Sequence, residues 1–161
     1  MIQLIYSSAA TVPFSEQDLV RLLQHSRERN QELEISGMLL YYDDSFLQIL
    51  EGPEKMVEQT FERISDDPRH RCVQLLVRAS IHRRVFGDWK MGFVHARRDW
   101  LKDLPGYTDF FASKGLPSHR SGDLAVKLLS QFRFGKWRRK VEVETSPAMR
   151  KSLGLTAAAM V

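Results

Sequence analysis

The chain has 161 residues, room for one domain of ordinary size plus an appendage. Apolar residues make up 43% and charged residues 27%, a globular balance that excludes a disordered chain, and no apolar run approaches the roughly 20 residues of a membrane-spanning helix. The 24 Lys and Arg exceed the 20 Asp and Glu by four, a mild excess that permits an anionic ligand without demanding nucleic acid.

Taken in chain order, Ile2–Ser8 alternates as a strand, with Ile2, Leu4 and Tyr6 on one face. This start lacks the basic stretch and long apolar core of a secretory signal. After a Thr11-Val12-Pro13 loop, Ser15 reads as a helix N-cap with Asp18 three residues on, and the helix is expected to reach about Arg29. Its apolar stripe is Leu19, Leu22 and Leu23, continued at helical spacing by Ser26 and Asn30. Glu34–Tyr42 and Ser45–Glu51 flank an Asp43-Asp44 turn as a hairpin. Pro53 opens a second helix, lined by Val57, Phe61 and Ile64 and closed by Asp66-Asp67-Pro68. Arg71–Ser80 reads as a fourth strand with Val73, Leu75 and Val77 on one side, and Met91–His95 as a short fifth. The lone cysteine, Cys72, allows no internal disulfide, which fits a reducing cytoplasm, and reads as a small apolar strand residue.

The order is that of an α+β, ferredoxin-like βαββαβ(β) fold, a mixed sheet with two flanking helices on one face. After Asp99, breaks at Pro105-Gly106 and Gly115-Leu116-Pro117 bound two helical candidates, 107–113 and 123–132. The second carries Leu124, Leu128 and Phe132 at four-residue spacing with Leu129 beside them, and the pair is expected to cover the other sheet face. The expected organisation is a main folded domain over 1–99, a helical extension over 100–144 and a disordered tail over 145–161. The basic segment 133–140, with Phe134 and Trp137, reads as a solvated helix end in preference to a docking surface for an acidic partner or a nucleic-acid patch.

The most informative residues are polar ones on faces that should be buried. Gln48 shares a face with Phe46 and Leu50, Tyr6 with Ile2 and Leu4, and Asn30 ends the stripe of the first helix. A buried amide or phenol needs hydrogen-bond partners. Singly, each has an ordinary explanation: a Gln satisfied by backbone, a core Tyr, a helix-capping Asn. Together they sit on the two central strands and the helix covering them, and converge on one cleft. A planar heteroaromatic ligand with carbonyl and ring-nitrogen edges would satisfy all three.

Segments across the whole domain carry a resemblance. They are Leu4-Ile5-Tyr6-Ser7-Ser8, Ser26-Arg27-Glu28-Arg29-Asn30, Ile35-Ser36-Gly37-Met38-Leu39 and Phe46-Leu47-Gln48-Ile49-Leu50-Glu51-Gly52. Arg63-Ile64-Ser65-Asp66-Asp67-Pro68-Arg69-His70 and Arg83-Arg84-Val85-Phe86-Gly87-Asp88-Trp89-Lys90-Met91 come next in order. Residues 2 to about 99 closely resemble the BLUF family, sensors of blue light using FAD.

The resemblance implies a set of roles. Tyr6 matches the tyrosine that gives an electron and a proton to the excited flavin, and Gln48 the glutamine that bridges it to the flavin edge and changes its hydrogen bonds in light. Asn30 matches the asparagine on the isoalloxazine carbonyl edge. Asp67, Arg69 and His70 match the segment that contacts the ring and its side chain. Arg29 and Arg63 are expected near the ribityl and phosphate parts, and Ser26, Phe46 and Ile64 complete the expected pocket. Trp89 and Met91 match the family's last-strand pair. Either one sits near Gln48, or both are core packing.

The implied cofactor is FAD, with FMN or riboflavin fitting the same pocket. No catalytic domain is recognisable after Asp99, so the chain resembles the short, non-enzymatic members, which signal through a separate effector protein. The C-terminal helices are expected to reach that effector and to build a homo-oligomer in the cytoplasm, with no role for membrane or nucleic acid. Two rivals on this fold fail at their sites. An RNA-recognition domain needs exposed aromatics where Phe46-Leu47-Gln48-Ile49-Leu50 stands. An acylphosphatase-like hydrolase needs a Gly-rich, Arg-bearing loop where Ser7-Ser8-Ala9-Ala10-Thr11 stands. His25, His70, His82, His95 and His119 are too scattered to suggest a metal site.

Overall fold

The computed structural model describes residues 1–87, 90–95 and 124–139. Its elements are β1 (Ile2–Ala10), α1 (Glu16–Glu32), β2 (Ser36–Tyr42), β3 (Ser45–Gly52), α2 (Glu54–Ser65), β4 (His70–Ser80), β5 (Gly92–His95) and α3 (Leu124–Arg133). The strands form one sheet in the order β4-β1-β3-β2-β5. β3 lies antiparallel between β1 and β2, β4 pairs antiparallel with β1, and β5 pairs parallel with β2. This is the expected ferredoxin-like sheet with β1 and β3 inside it, made mixed by β5.

Local chemistry sets the boundaries. Ser15 and Asp18 form a reciprocal capping box at the start of α1. The helix runs to Glu32, three residues past the expected end, so Asn30 lies inside its last turn rather than beyond it. Asp43 and Asp44 both have left-handed backbone, φ 54° and 57°, the geometry a tight two-residue hairpin requires.

Two cores flank the sheet. On one face α1 and α2 bury Leu19, Leu23 and Val57 against Ile2, Leu4, Tyr6, Leu39, Phe46 and Leu50. On the other, α3 buries Ala125, Val126, Leu128, Leu129 and Phe132 against Ile5, Met38, Leu40, Leu47 and Ile49. The second C-terminal helix thus covers the opposite face as expected, but Leu124 is 51% exposed. The buried stripe begins at Ala125, because positions 125, 128, 129 and 132 share one side of a 3.6-residue helix. The helical candidate over 107–113 and the tail over 145–161 fall outside the described residues.

Three further expectations are corrected. β4 does not alternate simply: its pairing with β1 shifts register twice, leaving Leu76 and then Cys72 as extra residues. Each bulge reverses the facing of the residues after it. Val73 therefore packs in the α1/α2 core while Leu76 and Val77 pack in the α3 core, and Leu75 is 44% exposed. Cys72 is exposed with φ 52°, a bulge residue rather than a packed strand residue. The basic segment is a solvated helix end only as far as residue 136, and residues 137–139 are not. Its backbone turns at Gly135 (φ 95°), and Arg139 exchanges backbone hydrogen bonds with Ser45 Oγ at 2.6 and 3.1 Å. The Arg138 guanidinium lies over the Tyr42 ring at 3.9 Å, so the segment is fastened to the β2–β3 hairpin.

The β4–β5 connection is fastened too. Glu51, fully buried on β3, accepts the N–H groups of Val85 (3.1 Å) and Phe86 (2.9 Å) and the Gln3 amide (2.7 Å). Arg84 donates to Ser36 Oγ at 3.1 Å and to the Glu34 carbonyl at 2.5 Å. These bonds hold residues 84–86 against β3 and the start of β2.

Candidate functional site

Between α1 and α2, over the middle of β1 and β3, lies a cavity of about 370 Å³. Its floor is Tyr6, Phe46 and Gln48, with Leu39 beside them. From α1 come Ser26, Arg29 and Asn30, and from α2 Arg63 and Ile64. Asp67 and Arg69, on the turn after α2, and His70, the first residue of β4, close one end. The residues expected around a ligand thus meet at one place. Met91 reaches the floor through Gln48, while Trp89 lies outside the described residues.

At the centre is a buried pair. Tyr6 and Gln48 are cross-strand partners in the β1–β3 register, and the fully buried Tyr6 hydroxyl donates to Gln48 Oε1. Burial and then the Asp67 carboxylate push the phenol pKa well above its ordinary value, so Tyr6 holds its proton. Gln48 Nε2 donates to Met91 Sδ at 3.6 Å, a weak acceptor. The amide thus has a strong partner at one end and a soft one at the other, an arrangement a small change can reverse.

The C-terminal half of α1 holds the segment that leads into β5. Asn30 Nδ2 donates to the Lys90 carbonyl at 2.8 Å, and Arg27 Nε to the Met91 carbonyl at 3.1 Å. At the α2 end, Arg69 grips Asp67 with Nη2–Oδ2 at 2.6 Å and Nε–Oδ1 at 3.0 Å. The hydrogen bond from Arg69 holds the Asp67 carboxyl below its ordinary range despite partial burial. His70 lies 2.8 Å from Ser8 Oγ through Nδ1, and its ring packs on Phe46 at 4.8 Å. Burial pushes its pKa down to about 4, so the imidazole is neutral at pH 7.

Two buried polar atoms on cavity residues, Arg29 Nε and Thr60 Oγ1, have no hydrogen-bond partner among the described residues. Leaving a buried donor unmet costs about 1–3 kcal/mol, and folded proteins keep few of them. A ligand bearing acceptors would satisfy them. The donor set, the aromatic and aliphatic floor and the basic Arg29 and Arg63 fit a flavin, with its carbonyl edges, polyol chain and phosphate. Among the described residues no group of His, Cys, Asp and Glu could hold a metal ion.

Sequence reasoning missed Leu22 as a lining residue, along with His25, Leu39 and Thr60. Helical spacing would have found His25, three residues after Leu22 and four before Arg29, and Thr60, three after Val57 and four before Ile64. Arg27 had no such signal, because its partner is a backbone carbonyl far along the chain.

Known proteins resemble the chain over this domain. A family model described as "BLUF: Sensors of blue-light using FAD" matches residues 1–92. The photoactivated adenylate cyclase subunit beta of Euglena longa is 35% identical over 107 residues, which are 66% of this chain and 12% of that protein. The chain therefore spans about an eighth of that curated relative. Among solved structures, "BlrB - a BLUF protein, dark state structure" is 36% identical with a TM-score of 0.57, covering 64% of this chain and 76% of that one. Klebsiella pneumoniae BlrP1, solved with FMN and cyclic diGMP, is 31% identical with a TM-score of 0.64, covering 83% of this chain and 34% of that one.

Proposed function

The chain belongs to the BLUF family of blue-light sensors using FAD, and from that premise we propose that the cavity between α1 and α2 holds the flavin, with Tyr6 and Gln48 as its photoactive pair. The observation that carries this reading is the Tyr6–Gln48 hydrogen bond, buried on the cavity floor between adjacent central strands. Bound flavin supplies absorption of blue light and a site that accepts an electron. The rest falls to side chains. Tyr6 would supply both an electron and its hydroxyl proton to that site, and Gln48, which accepts the hydroxyl's hydrogen bond, would be the first group to feel the change. Its amide inverts its donor and acceptor ends, by rotation or tautomerisation, and exchanges partners.

Asn30 meets the carbonyl edge of the ring, Arg29 and Arg63 the ribityl and phosphate parts, and Asp67, Arg69 and His70 contact the ring and its side chain. Ser26, Phe46 and Ile64 shape the walls. Met91 joins Gln48 to β5 through its sulfur, and Arg27 and Asn30 hold the same segment by its carbonyls. A changed Gln48 amide therefore biases β5 and the chain beyond it. The chain acts as a sensor, not an enzyme. It passes its state to a separate effector protein in the cytoplasm, through its C-terminal helices and as a homo-oligomer. No helix among the described residues is long and apolar enough to cross a membrane.

Two variants test the reading. Tyr6→Phe retains yellow flavin and loses the reversible red-shifted state under blue light. Gln48→Leu also loses it. A wild-type light-minus-dark spectrum in either variant removes that residue from the mechanism.

A further inference from the structure

A second cavity of about 450 Å³ lies beside the first and shares Leu22, His25 and Arg69 with it. Its outer wall is Val12, Pro13 and Phe14, and Arg21 and Asp18 stand on its α1 side. Phe14 is held in place from three directions. Its N–H donates to the Tyr41 hydroxyl at 3.0 Å, and that hydroxyl donates to Asp44 at 2.7 Å. Its ring meets Phe46 edge-on at 5.2 Å and Tyr41 at 5.8 Å. An aromatic surface fixed this firmly loses little freedom when a flat group settles on it.

Charge divides the two cavities. Arg29 and Arg63 line the first, Arg69, ion-paired with Asp67, is common to both, and Arg21 lines the second. Asp18, the acidic residue on the second wall, is engaged by the Ser15 backbone N–H at 3.1 Å and by the Ser15 hydroxyl as part of the helix cap. Two hollows with aromatic walls, joined across a basic junction, match a ligand with two ring systems joined by an anionic linker. A flavin with one ring system, FMN or riboflavin, fills only the first.

Building on the flavin reading above, we infer that the second cavity receives the adenosine diphosphate end of FAD, with Phe14 as the stacking surface for adenine and Arg21 as a cation for the diphosphate. The chain thereby selects the dinucleotide over FMN and riboflavin.

The test is a set of dissociation constants for FAD, FMN and riboflavin, read by flavin fluorescence on the full chain stripped of flavin. Wild type binds FAD at least about tenfold more tightly than riboflavin, and Phe14→Ala removes about tenfold from FAD alone, as loss of one base–aromatic stack does. Arg21→Glu, on an exposed position, weakens FAD and leaves riboflavin unchanged, and it decides the matter if Phe14→Ala fails to fold. Equal affinity for all three flavins in wild type overturns the inference, as does a parallel loss for all three in the variants. A riboflavin-loaded chain that still shows the light-induced red shift then leaves the flavin reading standing. A chain that takes up none of the three overturns both.

Discussion

Replacing Glu51 with Ala removes a carboxylate from the face of β3 opposite the cavity. Glu51 is fully buried and accepts from Gln3 at 2.7 Å, Phe86 at 2.9 Å and Val85 at 3.1 Å. Hydrogen bonds to a charged group contribute about 1.5–3 kcal/mol each, and water reaching the loosened connection recovers part of the loss, so we expect a destabilisation of about 3–5 kcal/mol. Against a net stability of about 5–15 kcal/mol for a domain, that is a large fraction. Glu51→Gln keeps one acceptor oxygen and should lose about 1–2 kcal/mol. Urea unfolding of the flavin-loaded proteins, followed by far-UV circular dichroism, measures both. At a slope of about 2 kcal/mol per molar urea, the Ala variant's midpoint falls by about 2 M with the slope unchanged. Amide exchange at residues 85 and 86 should accelerate in parallel. A midpoint within about 0.5 M of wild type would refute the claim that this carboxylate holds the β4–β5 connection.

Acid should destabilise the protein through His70, whose pKa is pushed from 6.5 to about 4. The folded state resists the proton that the unfolded chain accepts, so stability is full above pH 6.5 and falls by up to about 3 kcal/mol as the pH drops toward 4. A His70→Asn variant with the same pH slope in that window would show that the slope has another source. Gly37→Ala should cost about 3 kcal/mol, because its Cβ would sit 1.9 Å from the Ile49 carbonyl oxygen. Gly92→Ala should cost about 1 kcal/mol, because the atoms met at 2.8 Å are the flexible end of Met38. Thermal melts of the pair check that order. Ser45→Ala removes both hydrogen bonds to Arg139, so trypsin should cut the folded chain faster after Arg138 and Arg139. Unchanged cleavage there would mean that the segment is held by other contacts.

Much of this was legible in the sequence because period and position carry it. The alternation in Ile2–Tyr6 and Phe46–Leu50 assigned Tyr6 and Gln48 to one buried face, and Asn30 followed Leu19, Leu23 and Ser26 along one helix side. Ser15 with Asp18 marked a helix start, and Asp43-Asp44 marked a turn. The rest depends on tertiary contact. The Leu76 and Cys72 bulges come from how β4 is paired along β1, and nothing in the β4 sequence announces them. Glu51 looks like an ordinary strand-end charge until the chain returns to it at residues 85 and 86. Leu124 looks as apolar as Leu128, and only the sheet beneath α3 decides which side of the helix is buried.

The place of β5 in the sheet limits what a single amide can accomplish. β3 lies between two partners, so sliding it would break two ladders at once, and a slip of one residue would turn its whole side-chain set inside out. β5 is four residues long and has one neighbour among the described residues. A rearranged side-chain hydrogen bond releases about 1 kcal/mol, far too little to shift an interior strand but comparable with the hold of one short edge ladder. On the proposed reading, the rigid middle of the sheet works as an anvil, and the short strand at its rim is the part that a rewired amide would dislodge.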